Sequence, residues 1–290
     1  MLKKTPRNFL GGLVLFGLLL GCSPQANASV RFYDYEELGD KDLSPEGRLA
    51  LHLDPDLEWH HTQTKHFSYH FTSTDPALEA YLADAEKYYN RIKTLFGVTH
   101  DDWQKSVHIF VFQKDWAWKK LMESLRQDPE TPALTEGWDL FIRHAVDEKS
   151  RVQSLSHELG HIILFRFVDG RPPLFLNEGF AEYMSLMALA DFLGVDPSRI
   201  RRSQKVTDAD YISLSVLSAL ESYPEKEKAI FYHESEELTR YLIAQYGGDK
   251  FYLLMKELSH GKGFRETFRS VYNKGVEDIE PDFKKSLLEP

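Results

Sequence analysis

Cysteine is all but missing from this 290-residue chain. Cys22 stands alone, so neither a disulfide framework nor a thiolate metal site is open to it. Basic residues are in the minority, with 35 Lys and Arg against 45 Asp and Glu. The formal net charge of -10 lacks the basic excess of a general nucleic-acid binder. The apolar run over 9–20 falls short of the roughly 20 residues that span a bilayer comfortably. No glycine-rich phosphate loop and no serine nucleophile elbow stand out, which leaves covalent hydrolysis without support. Internal repeats and low-complexity tracts are also lacking. What remains is an ordinary globular composition, 42% hydrophobic, 13% aromatic and 28% charged, long enough to bury a real core in one or two domains.

The first residues read as a leader. Lys3, Lys4 and Arg7 precede the apolar run, and Leu19-Leu20-Gly21-Cys22 closes it, the basic–apolar–small order of a secretory signal. That ending resembles the bacterial lipobox, in which the cysteine is lipidated and becomes the new N-terminus. The expectation is a signal peptide over 1–21, lipidation at Cys22, and a chain three charges more negative after cleavage. Two or more acyl chains give stable anchoring. Ser23 after the cysteine points, by analogy with enteric bacteria, to an outer membrane facing the periplasm.

Residues 23–29 are polar and short of anything to bury, a tether. The pattern over 30–65 is too mixed to place elements. From 66 onward one folded domain is expected, with a sheet part over 66–148 and a helical part over 149–290. Alternation of Phe67, Tyr69 and Phe71 predicts a strand over 66–71, and apolar runs predict strands over 107–112 and 137–143. A helix is expected to open at Asp75-Pro76 and to run to Gly97. Ser150 with Gln153 suggests a capping box for the next, which Asp169-Gly170 and Pro172-Pro173 end. Further helices are expected over 177–193, 209–220, 228–246, 250–260 and the terminal segment. Strands first and helices afterwards make the fold class α+β.

The chemistry concentrates in His157-Glu158-Leu159-Gly160-His161. Residues four apart share a helix face, so both imidazoles can address one ion, while Glu158 reaches a water beside it without ligating. After sixteen intervening residues, which include a Gly/Pro-rich reversal, Glu178 lies at the start of the following helix. It completes a His, His, Glu set with one position left for water, the composition of a catalytic metal site. Glu182, four along on the same face, can accept the free ring N–H of a ligand histidine. These residues also admit other divalent ions.

His157-Glu158-Leu159-Gly160-His161 with Leu176-Asn177-Glu178-Gly179-Phe180-Ala181-Glu182 resembles the gluzincin superfamily of zinc metallopeptidases. More narrowly, it looks like the compact bacterial peptidase MA-like proteins, related to the catalytic core of zinc aminopeptidases. The resemblance is specific over about 151–193. It implies a zincin-like fold, one Zn²⁺ held by His157, His161 and Glu178, and Glu158 as general base. A weaker echo around Phe231-Tyr232-His233-Glu234-Ser235 makes Tyr232 the candidate oxyanion donor, with His233 as its rival. The Gly-x-Met-Glu-Asn segment that anchors a free amine in the aminopeptidases is missing, so the resemblance implies an endopeptidase rather than an exopeptidase. Peptides or proteins are the implied substrates, paired along an edge strand that residues 138–143 are expected to supply. The alternative is a non-catalytic zinc-binding envelope lipoprotein acting as a binding module.

Other clusters read blandly. His60, His61, His66 and His70 invite a second metal site, but His66 and His70 fall on the polar face of the expected strand, where solvated histidines need no function. Glu234, Glu236 and Glu237 are expected on a solvated helix face.

Overall fold

A computed structural model describes residues 30–75, 78–99, 105–145, 147–200, 206–224 and 226–288. The leader, Cys22 and Pro76 therefore lie outside the described residues. The fold is α+β, with one five-stranded mixed sheet and a mainly helical second half. No helix among the described residues is long and apolar enough to cross a membrane.

The strands are β1 (His60–Gln63), β2 (Phe67–Phe71), β3 (Val107–Phe112), β4 (Ala133–Glu136) and β5 (Asp139–Arg143), in spatial order β1-β2-β3-β5-β4. The three central strands are parallel, and β1 and β4 run antiparallel to them at the two edges. Parallel neighbours need crossovers. Helix α2 (Glu79–Leu95) joins β2 to β3, and α3 (Asp115–Leu125) leads from β3 toward the β4–β5 hairpin. Gly137, at φ 64°, turns that hairpin in the left-handed region that glycine tolerates without strain.

Both faces of the sheet are covered. Phe67, Tyr69, Val107, Ile109, Val111, Leu140 and Ile142 belong to the larger core, with residues of α2 and of α4 (Glu148–Val168). Phe110, Phe112 and Phe141 face the other way, onto Trp118 and Leu121 of α3 and Ala50 of α1 (Pro45–Leu51). The segment 30–63 thus contributes α1 and β1 to the same sheet. Ser44 caps α1 by accepting from Gly47 N, and Pro45 occupies its first position.

Several boundaries differ from expectation. Helix α2 spans Glu79–Leu95, its expected opening at Pro76 lying outside the described residues, and α4 begins at Glu148 rather than after Ser150. Its cap is Asp147, whose carboxylate accepts from Ser150 N and Oγ, so Ser150 answers the cap instead of forming it. Over 209–220 only the short α6 (Leu214–Leu217) forms. His66 and His70, expected in solvent, are both buried. His61 and His70 lie where the N-terminal segment, with Tyr35, roofs the face of the sheet opposite Phe67, and His70 is 0% exposed. His66 is buried separately, against Glu86 and Tyr89 of α2. Glu234 and Glu236 are likewise buried, not solvated.

The helical half is built on close approaches. Helix α4 ends at Val168 with Asp169 in the left-handed region, and α5 (Leu174–Leu193) returns antiparallel after the Pro172-Pro173 reversal. Gly160 of α4 faces Ala181 of α5, where an added Cβ would sit 2.9 Å from the Ala181 Cα. Gly179 does the same against α7 (Lys228–Tyr246), lying against the carbonyl of Ser235. Helices α8 (Gly248–Ser259), α9 (Phe264–Tyr272) and α10 (Val276–Leu288) complete the layer behind.

Gly179→Ala sets two effects against each other. Alanine gains about 1 kcal/mol of helix propensity. The new methyl meets a backbone carbonyl that has no rotamer to escape through, and overpacking costs about 1–3 kcal/mol or more. The clash is expected to win, lowering the thermal midpoint by roughly 2–8 °C in a melt of the purified protein. An unchanged midpoint would show that α5 and α7 separate freely.

Candidate metal centre

The middle of α4 carries the histidine motif, and the α5 return sets its first two turns alongside. Because Gly160 and Ala181 leave no side chain between the two axes, His157, His161 and Glu178 converge on one point. The two Nε2 atoms are 3.2 Å apart, and Glu178 Oε2 lies 3.8 Å from that of His157 and 3.7 Å from that of His161. A point about 2.1 Å from all three donors lies between them, within the about 2.0–2.2 Å range of zinc–nitrogen and zinc–carboxylate bonds. Two imidazoles and a carboxylate, mostly buried, therefore fit a divalent cation. Among the described residues this is the one group of three or more His, Cys, Asp or Glu side chains arranged in that way.

The surroundings favour a positive charge. Burial pulls the His157 pKa down, but the hydrogen bond to Glu182 and the charges of Glu158, Glu182 and Glu178 outweigh it and push it up to about 9. Glu182 lies 3.4 Å from His157 Nδ1, on the far side of the ring from the donor atom. That is the position expected for it, and it fixes which nitrogen faces inward. The Nδ1 of His161 is buried and finds no hydrogen-bond partner among the described residues.

Glu158 stands apart from the donor triangle. Its Oε2 accepts from Thr135 Oγ1 at 2.9 Å, which ties it to β4. The strand at the lip of the site is therefore β4, Ala133–Glu136. The expected strand over 138–143 begins at Asp139 as β5, which is sandwiched between β3 and β4 and offers no open edge. The correction has a simple cause: the hairpin at Gly137 adds one more short strand outside the apolar one.

Tyr232 of α7 reaches the same cleft. Burial, then the charge of Glu178, raises its hydroxyl pKa to about 12, with Glu182 and Glu158 adding to the effect. A phenol so held stays protonated and can donate. A second tyrosine, which no motif singles out, makes the more direct contact: Tyr223 donates its hydroxyl to Glu178 Oε1 at 2.7 Å. It lies on the irregular connection between α6 and α7, where no periodicity marks a functional side chain. Its hydroxyl pKa is raised as well, by burial first and then by the Glu178 charge.

The buried histidines of the sheet do not form a second chelate. His61 Nδ1 contacts His70 Nδ1 at 2.8 Å, and His70 Nε2 contacts His108 Nδ1 at 2.9 Å, a linear chain rather than a convergent set. His66 is separate, pairing with Glu86 at 2.7 Å.

No protein-family model matches the chain, and no curated protein matches it in sequence.

Proposed function

We propose that the protein is a zinc metallopeptidase of the gluzincin type, anchored to a bacterial envelope membrane by lipid on Cys22 and hydrolysing peptide bonds outside the cytoplasm. The observation that carries this reading is the convergence of His157 Nε2, His161 Nε2 and Glu178 Oε2 at 3.2–3.8 Å, with a fourth residue, Glu158, beside them but outside the triangle. A non-catalytic metal-binding module has no use for that extra carboxylate, still less for Thr135 to aim it.

In this reading His157, His161 and Glu178 hold the ion, and Glu182 keeps the His157 ring in register. When bound, zinc supplies Lewis acidity, polarising a carbonyl and making a water acidic near neutral pH. The chain's own contribution is proton handling and positioning. Glu158 takes the proton of the attacking water and returns it to the leaving nitrogen. Thr135 holds one carboxylate oxygen of Glu158, leaving the other for that exchange. Tyr232 is the candidate donor to the developing oxyanion. An extended substrate adds to the edge of β4, through backbone hydrogen bonds that do not read sequence. Internal peptide bonds suit this arrangement better than N-terminal residues.

Metal content and peptide cleavage test the reading together. Purified wild type is expected to carry one zinc per chain by mass spectrometry and to cleave a broad peptide library until chelator is added. Glu178→Ala removes one of three donors and is expected to bind zinc at least about 100-fold more weakly. A wild type without stoichiometric metal, or a Glu178→Ala protein that retains it at full affinity, defeats the proposal. Zinc retained with no cleavage of any peptide supports the binding module instead.

A further inference from the structure

We infer that Tyr223 is a positioning residue for the metal: its phenol fixes one oxygen of Glu178 so that the carboxylate meets the ion through Oε2 alone. The inference rests on the metal site proposed above and adds a residue from outside both motif helices.

A carboxylate has two equivalent oxygens and a soft terminal torsion, so a single glutamate can bind an ion through one oxygen, through both, or swing away. Here the two oxygens are given different work. Oε2 faces both imidazole donors at 3.7–3.8 Å, and Oε1 accepts from Tyr223 at 2.7 Å. Glu178 is only 4% exposed, so without that phenol Oε1 would be buried short of a donor.

The chemical identity of the partner matters. A lysine or arginine here would neutralise the charge that a cation needs. A tyrosine hydroxyl donates without carrying charge, so it orients Glu178 and leaves the attraction intact.

Tyr223 is 43% exposed and sits on an irregular connection, yet its ring is held. Tyr232 lies against it with centroids 5.9 Å apart and planes 25° apart, and Phe231 meets it edge-on at 6.0 Å. The Lys228 ammonium lies 4.8 Å from its centroid on the remaining approach. All three holders belong to the first turns of α7. Tyr223 is thereby linked to the metal ligand, and its hydroxyl also meets that of Tyr232.

The test is a zinc competition titration against a chromophoric chelator on the full-length protein. Tyr223→Phe removes one oxygen from a partly exposed ring and is expected to weaken zinc binding about 10–100-fold, the usual effect of losing an outer partner of a ligand. The cycle with Glu178→Ala makes the assignment specific. With the carboxylate gone, adding Tyr223→Phe is expected to change affinity by less than about twofold, because the phenol has nothing left to position. Thermal melts of the zinc-free proteins, with and without Tyr223→Phe, are expected to coincide within a few degrees. Wild type that binds one zinc while Tyr223→Phe binds it equally well overturns this inference and leaves the metal site standing. An equal loss in both backgrounds reassigns Tyr223 to general stability of the connection. Wild type that binds no zinc overturns both.

Discussion

Glu158→Gln is expected to lower peptide hydrolysis by about 10²–10⁴-fold while leaving the zinc content at one per chain. The substitution keeps the size of the side chain and an oxygen that can still accept from Thr135 at the position now 2.9 Å away. It touches none of the three donor atoms. What disappears is proton affinity: an amide neither takes a proton from water nor returns one to a leaving nitrogen. The effect should fall on kcat rather than on KM, because the carboxylate acts in the transition state and not in holding the ground state. Steady-state kinetics on a cleaved peptide, beside metal analysis of both proteins, provide the check. If the glutamine variant hydrolyses as fast as wild type, Glu158 is not the base. If it also loses the metal, the residue supports the site rather than the reaction. Those two results are read on different instruments and stay separable.

How much of this was visible in the sequence depends on whether the information is local. The His157–His161 pair could be read because an i, i+4 spacing on a helix fixes a shared face whatever the rest of the chain does. Glu178 followed because the Pro172-Pro173 reversal allows few outcomes other than an antiparallel return. Tyr223 could not be found that way. It reaches Glu178 from 45 residues away, along a connection with no period to read. The short strands β1 and β4 were missed for a related reason. Four residues such as Ala133-Leu134-Thr135-Glu136 alternate too briefly to stand out, and only the β5 partner makes them a strand. No element was placed over 30–65, although Ser44 before Pro45 makes that proline the first residue of a helix. The histidines of the sheet were misread because an alternating strand suggests one wet face. In this fold α1, α3 and the 30–63 segment cover that face, and no residue of β2 itself announces them.

That roofed face has a consequence in mild acid. Burial, followed by the charges of neighbouring histidines, lowers the pKa of His70 well below 6.5. Desolvation brings His61 and His108 to about 4. In the unfolded chain all three titrate near 6.5. Above that pH neither state carries the protons, and the full stability is present. As the pH falls from about 6.5 toward 4 the unfolded chain takes up protons that the fold refuses, so stability is lost across that window. At pH 5 each imidazole accounts for roughly 2 kcal/mol, a large share together of the roughly 5–15 kcal/mol that holds a typical domain. Two buried carboxylates work in the opposite direction. Desolvation raises Glu234 to about 7 and Asp139 to about 6, so the fold gains protons there and is favoured as the pH drops. They offset part of the loss, about 1–3 kcal/mol apiece by the same linkage. The three histidines outweigh the two carboxylates between about pH 6 and 4.5, because three protons that the fold refuses stand against two that it holds, a net difference of about one proton. Urea unfolding at pH 7, 6, 5 and 4.5 is expected to show stability falling below pH 6 by roughly 1.4 kcal/mol per pH unit. The slope should diminish by up to one proton for each of His61→Gln and His108→Gln, tested singly. Each variant leaves His70 with one imidazole neighbour, so the chain is shortened rather than dismantled. Slopes identical to wild type in both variants would mean that the histidines carry their protons inside the fold, and that the acid response lies elsewhere.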